Sequence, residues 1–221
     1  MTGLEKGKAL FENQAFEKAI EALNSFLSNN PNNADALYTR AIAYRKIEQY
    51  DNSITDLTTI LVRLPEEATL FCDRGISYFK NKNIDAALND MNKAVELEPN
   101  NPFRYSSRAY IRAKSDINGA MADYEKAIEL DPKDEISYNN LGLLQENAGR
   151  MSAAKKNFKK SNNIIGYDPE KRKETQENRA EKIEGNSQKK PNSLGKTMLD
   201  VFKSKKTRKE YFQFLKSMFK K

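Results

Sequence analysis

Prolines set a rhythm along most of the chain. Pro31, Pro65 and Pro99 recur at a spacing of 34 residues, and Pro132 follows 33 later. Twelve residues before each lies a small side chain: Ala19, Ser53, Ala87 and Ala120. Eight before each lies a large apolar one: Leu23, Leu57, Met91 and Tyr124. A further small residue precedes the first three of the set by twelve positions (Gly7, Ala41, Gly75), whereas Ala109 precedes Ala120 by eleven. A fifth copy runs on from Tyr138, with Gly142 and Ala154 twelve apart and Phe158 four beyond. Repetition at this period is a severe constraint. Each copy has to be one supersecondary unit that cannot bury its apolar face alone, so neighbours must stack.

Within each copy, apolar residues recur at three and four spacing on two segments, the periodicity of short amphipathic helices. The breaks between the segments read ENQ, IEQ, KNKN, AKSD and NAGR, all polar or turn-prone. A proline then closes the unit and stops the second helix. The paired small residues leave room for two helix backbones to approach closely. The expectation is five helical hairpins in single file, with the missing residue of the fourth copy taken from its intervening turn. Composition agrees. Nine Gly and seven Pro in 221 residues leave long stretches free of helix breakers, and 38% hydrophobic residues is too many for wholesale disorder.

At these residues the chain resembles the tetratricopeptide repeat (TPR) family. Leu37, Phe71, Tyr105 and Tyr138 stand where the family has its bulky opening residue. Gly7, Ala41, Gly75, Ala109 and Gly142 match its first small residue, and Ala19, Ser53, Ala87, Ala120 and Ala154 its second. The first copy departs by having Gly3 at the opening position, and the fifth by having Gly166 where the closing proline would be. The resemblance implies an all-α, right-handed superhelical solenoid of stacked antiparallel helix pairs over residues 1–165. It also implies a non-enzymatic scaffold or adaptor for protein–protein interaction.

One charge pattern follows the repeat. Arg40, Arg74 and Arg108 directly precede the first small residue of copies two, three and four, and Asp56, Asp90 and Asp123 lie nine before the closing proline of the same copies. Copy one has Lys6 and Ala22 there, and copy five has Leu141 and Asn157. Arg and Asp thus occur together or not at all. Either they pair between the two helices as a ladder, or they are inherited from duplication without an energetic role.

In the family, first helices line a concave groove. Carried over residue by residue, the groove would show Tyr38, Ile42, Arg45, Cys72, Asp73, Ile76, Ser106, Tyr110, Asn139, Asn140 and Leu143. Ile42, Ile76, Tyr110 and Leu143 would form an apolar line suited to an extended peptide or a helix. The competing reading is that these residues only pack first helices together. Some family members grip the C-terminal carboxylate of chaperones with Lys, Asn and Arg. The matching positions here, Leu4, Lys8, Thr39, Thr69 and Asp73, lack that set of cations and amides. One unit later, Tyr38, Ile42, Asp73, Phe103 and Ser107 lack it too.

The C-terminal quarter differs in charge. From Gly166 to Lys221 there are 16 Lys and Arg against 8 Asp and Glu, leaving 22 against 23 for residues 1–165. Residues 166–195 read as a helix stop at Gly166, a charged capping helix and a linker, and residues 196–221 as a basic amphipathic helical tail. In the tail, apolar side chains at 211, 212, 214, 215, 218 and 219 fall within about 160° at ~100° per residue. Lys203, Lys205, Lys206, Arg208, Lys209 and Lys216 supply its positive charge. Three uses are open: covering the solenoid end or groove, binding an anionic membrane or acidic protein, or binding nucleic acid.

Several function classes find no support. The chain has no histidine, which removes the commonest general base and metal ligand together. Cys72 is the sole cysteine, so there is no internal disulfide and no zinc cage, and it reads as a packing residue. No glycine-rich phosphate loop or G-x-S-x-G elbow occurs. The acidic pair Glu66–Glu67 sits at a helix start, where it meets the dipole favourably. No enzyme activity, cofactor, metal or small-molecule substrate is expected. No apolar run follows a basic start, and no window approaches the ~20 apolar residues of a spanning helix, which points to the cytoplasm.

Overall fold

A computed structural model describes residues 2–168. These form ten helices and no strand: α1 (Gly3–Glu12), α2 (Phe16–Leu27), α3 (Ala34–Lys46), α4 (Tyr50–Leu61), α5 (Ala68–Lys80), α6 (Ile84–Leu97), α7 (Pro102–Arg112), α8 (Ile117–Leu130), α9 (Glu135–Asn147) and α10 (Met151–Ile164). Each odd helix packs on the even helix that follows, and each pair packs on the next pair in chain order. This is the stacked all-α solenoid implied by the repeat. None of these helices is long and apolar enough to cross a membrane. The expected charged helix and basic tail, including Lys203, Lys205, Lys206, Arg208, Lys209 and Lys216, lie outside the described residues.

Helix starts follow local chemistry. Thr2 caps α1 in a capping box with Glu5, and the side chains of Asn33, Asn83, Asn101, Asp116 and Asp134 accept backbone N–H bonds at the starts of α3, α6, α7, α8 and α9. Each such cap satisfies one of the donors that a first turn leaves open. The closing prolines act in two ways. Before Pro99 and Pro132 the helices run up to Leu97 and Leu130, and Glu98 and Asp131 leave helical geometry as residues preceding proline must. Before Pro31 and Pro65 the helices already end at Leu27 and Leu61. There the proline sits within a longer connection and does not itself stop the helix.

Within four of the hairpins the turn passes through a left-handed residue at one register: Gln14 (φ 58°), Glu48 (φ 62°), Lys82 (φ 63°) and Gly149 (φ 74°). The fourth hairpin has no such residue, and its connection Ala113–Asp116 joins a shorter α7 to α8. The residue missing from the fourth copy is therefore the left-handed one. Gly166, also left-handed at φ 68°, follows the end of α10 as a helix stop should.

The small residues serve the interface in a specific way. A Cβ at Gly7 would collide with Leu23, and one at Gly142 with Phe158, in each case the large apolar residue of the partner helix. At Gly75 the same atom would lie 3.0 Å from Met91 Cε and 3.2 Å from the Ala87 carbonyl oxygen. Close approach therefore makes room for one large side chain per hairpin. The core has no single centre. Three apolar clusters succeed one another, built around Leu23 and Leu57, then Met91 and Ile111, then Met121 and Tyr124. Each draws on adjacent repeats, which is why one hairpin alone could not close it.

Candidate functional site

The Arg–Asp pattern is a ladder in the structure. Arg40 donates to both carboxylate oxygens of Asp56 at 2.8 and 2.6 Å, Arg74 to Asp90 at 2.8 and 2.7 Å, and Arg108 to Asp123 at 2.9 and 2.6 Å. These are bidentate fork-to-fork bonds with the aspartates buried. The remaining nitrogen of each guanidinium reaches back to the second helix of the preceding repeat, on Asn24 (2.7 Å), Thr58 (3.1 Å) and Asn92 (3.1 Å). Aromatic rings of the same helix flank the guanidiniums, Tyr44 near Arg40, Phe71 and Tyr78 near Arg74, and Tyr105 near Arg108. Their hydrogen bonds to Asp56 and Asp90 push the Arg40 and Arg74 guanidiniums above the usual arginine range. Repeat five substitutes neutral amides, with Asn157 donating to Gln145 at 2.7 Å.

The first helices are thereby fixed, and they carry the residues expected to line a groove. α1 lies on α3, and α5 on α7. Between α3 and α5 the link is made by side chains. Asp73 accepts from the Tyr38 hydroxyl at 2.8 Å and from Arg45 Nη1 at 2.9 Å, and its carbonyl accepts from the same Arg45 nitrogen at 3.0 Å. Burial, then the Asp73 charge, pushes the Tyr38 phenol up to about 12. Tyr38, Arg45 and Asp73 are thus committed to one another at least as much as to any ligand.

Two pockets flank this bolt. The first, of about 380 Å³, is lined by Lys8, Phe11 and Glu12 of α1 and by Tyr38, Thr39, Ile42 and Arg45 of α3. The second, of about 280 Å³, lies across α5, α7 and α9. Its lining includes the expected Ile76, Ser106, Tyr110 and Asn140, together with Phe79, Phe103 and Ile136, which the sequence reading missed. Phe103, Tyr110 and Ile136 are more than half exposed at 57%, 55% and 62%. The Phe79 and Tyr110 rings meet edge to face with centroids 5.5 Å apart. Lys80 is the one charged residue of the lining.

The remaining expected residues divide. Asn139 and Leu143 are exposed on α9 but line neither pocket. Cys72 lines neither pocket. It is buried against Met91, with sulfur atoms 3.7 Å apart, in the cluster that holds Ala68 and Ile111, and burial pushes its thiol pKa up. The reason is angular. Cys72 precedes Asp73 by one position, and ~100° of helix turn carries it from the exposed face into the interface. A signal for the missed residues was present. Asp35, Thr69, Phe103 and Ile136 share one register, two before the bulky opening residue, and it changes from polar to apolar at the fourth copy.

Comparison with known proteins agrees with this architecture. Family models described as tetratricopeptide repeat match residues 4–57, 68–101 and 136–165, and one described as TPR repeat matches residues 111–149. No curated protein matches in sequence. Among solved structures, a crystal structure of MamA superposes with a TM-score of 0.66 at 24% identity, over 72% of this chain and 94% of that one. MamA from Desulfovibrio magneticus RS-1 gives 0.66 at 18% identity, over 73% and 92%. YrrB, described as a TPR protein with an unusual peptide-binding site, gives 0.59 at 20% identity, over 73% and 84%. At these identities the likeness concerns the fold. With matching models spread from residue 4 to residue 165 and the repeat geometry in place, the chain belongs to the tetratricopeptide repeat family.

Proposed function

We propose that this chain is a non-enzymatic interaction scaffold whose first-helix face binds an extended peptide or a short helix, with its principal anchor in the pocket across α5, α7 and α9. The observation that carries this reading is the change of one register from Asp35 and Thr69 to Phe103 and Ile136. Large apolar side chains stand exposed there, around a pocket that Ile76 and Tyr110 also line and whose polar groups are few. Such a pocket suits one apolar side chain of a partner, with Ser106 and Asn140 left to bond its backbone. The peptide-binding description of YrrB, which shares the fold, lends support. The bolt of Tyr38, Arg45 and Asp73 separates this pocket from the one between α1 and α3, so a long ligand would meet two anchors in sequence.

The test is a random-peptide display selection against the full chain, followed by calorimetry on the selected peptides. Tyr110→Ala and Ile136→Ala should each weaken binding at least tenfold, as truncation of a buried aromatic or aliphatic anchor does at ~1.4 kcal/mol or more. Both side chains are more than half exposed in the free protein, so Ile136→Ala should hardly change thermal stability and Tyr110→Ala should lose only the ring contact with Phe79, about 0.5–1.5 kcal/mol. Peptides that bind both variants as well as the parent would refute the assignment.

A further inference from the structure

The outer face of the last hairpin differs in charge from every other. Helices α2, α4, α6 and α8 each carry more acidic than basic residues. Helix α10, MSAAKKNFKKSNNI, carries no acid at all and four lysines, Lys155, Lys156, Lys159 and Lys160. All four are exposed, and none has an ion-pair partner among the described residues. At ~100° per residue they fall within about 140°, opposite the buried Ala154 and Ser161. Lys155 and Lys159, like Lys156 and Lys160, are four apart, a spacing at which like charges repel. The helix dipole does not explain them, because no basic residue lies in the last turn. Among the described residues, therefore, nothing neutralises this cationic face.

We infer that this face docks on an anionic lipid bilayer. Three features favour a bilayer over nucleic acid. The charges are all lysine, compact and unforked, with no arginine to grip phosphates or base edges bidentately. No aromatic ring stands among them to stack on a base. Exposed Met151 and Ile164, 54% and 37% accessible, flank the lysine arc on either side, where they can enter the interface while the lysines stay at headgroup level. The docking face is on the opposite side of α10 from its packing against α9, so membrane contact leaves the peptide pocket across α5, α7 and α9 free. The inference stands independently of what that pocket binds.

The experiment compares three forms of the full-length chain in vesicle co-sedimentation: the parent, Lys155→Gln/Lys156→Gln/Lys159→Gln/Lys160→Gln, and Lys18→Gln/Lys46→Gln/Lys82→Gln/Lys133→Gln. The two variants lose equal charge, from one face or from scattered exposed sites. On phosphatidylcholine vesicles with about 30% phosphatidylserine, each lysine near the surface should contribute about fivefold to partitioning. The α10 variant should therefore bind at least tenfold more weakly than the parent, the scattered variant within about twofold of it, and neither should bind pure phosphatidylcholine. Both should melt no lower than the parent. The proposal is overturned if the parent does not bind the anionic vesicles, or if the two variants lose affinity equally. It is also overturned if the α10 variant binds like the parent, or if duplex DNA or single-stranded RNA displaces the vesicles and binds more tightly through the same lysines.

Discussion

Repeats two to four and repeats one and five share a backbone plan and differ in what holds their helices together. In the middle, each arginine joins three helices: its own, the partner that carries the aspartate, and the second helix of the preceding repeat. At the ends, repeat one has Lys6 and Ala22 at the same positions, and repeat five has a buried leucine and an amide pair. The difference teaches how a one-dimensional fold fixes its register. Small residues and apolar clusters allow stacking at every repeat. The ladder adds a directional polar lock in repeats two to four.

The largest effect should come from opening that lock. Asp90→Ala leaves Arg74 half-buried without its carboxylate and should cost about 3–5 kcal/mol in urea unfolding. Lys8→Ala, which breaks the exposed Lys8–Asp35 pair between repeats one and two, should cost about 0–1 kcal/mol. Next comes overpacking. Ala87→Leu places a large side chain where the Ala87 backbone already lies against Gly75, and should cost about 1–3 kcal/mol by the same measurement.

A smaller effect of opposite sign sharpens the comparison within the hairpin turns. Lys82 holds a left-handed backbone without being glycine, so Lys82→Gly should raise stability by up to about 1 kcal/mol. The equivalent gain is closed to repeat four, which lacks the residue. The last effect appears only in alkali. The Tyr38 and Tyr124 phenols are raised from 10.0 to about 12, chiefly by burial. Their contribution is complete below pH 10 and is lost as pH rises through about 12. The share of phenolate absorbance that belongs to these two should therefore rise late, together with loss of helical circular dichroism, and Tyr38→Phe should lessen the alkaline loss.

Much of this was legible in the residues. The hairpins follow from two periodicities at once, proline spacing and apolar pattern, and the ladder from the co-occurrence of Arg and Asp. Its third contact was not, because Asn24, Thr58 and Asn92 share only a register and a polar side chain, seven before the closing proline. The two pockets were half legible. Ile42 lines one, and Ile76 and Tyr110 the other, at the register in which they were expected. The second pocket itself depends on Phe103 and Ile136, whose equivalents Asp35 and Thr69 are polar, so a pattern averaged over repeats hides it. Cys72 was misplaced because adjacent helix positions differ by ~100°, enough to separate a groove from a core.

The arginine and aspartate of a middle repeat stabilise the solenoid together. A double-mutant cycle on Arg74→Ala and Asp90→Ala, read by urea unfolding, measures it directly. The coupling energy should be at least about 1.5 kcal/mol, within the range for residues sharing a buried network. A coupling below about 0.5 kcal/mol would mean that the pairs are a relic of duplication and that packing alone sets the register.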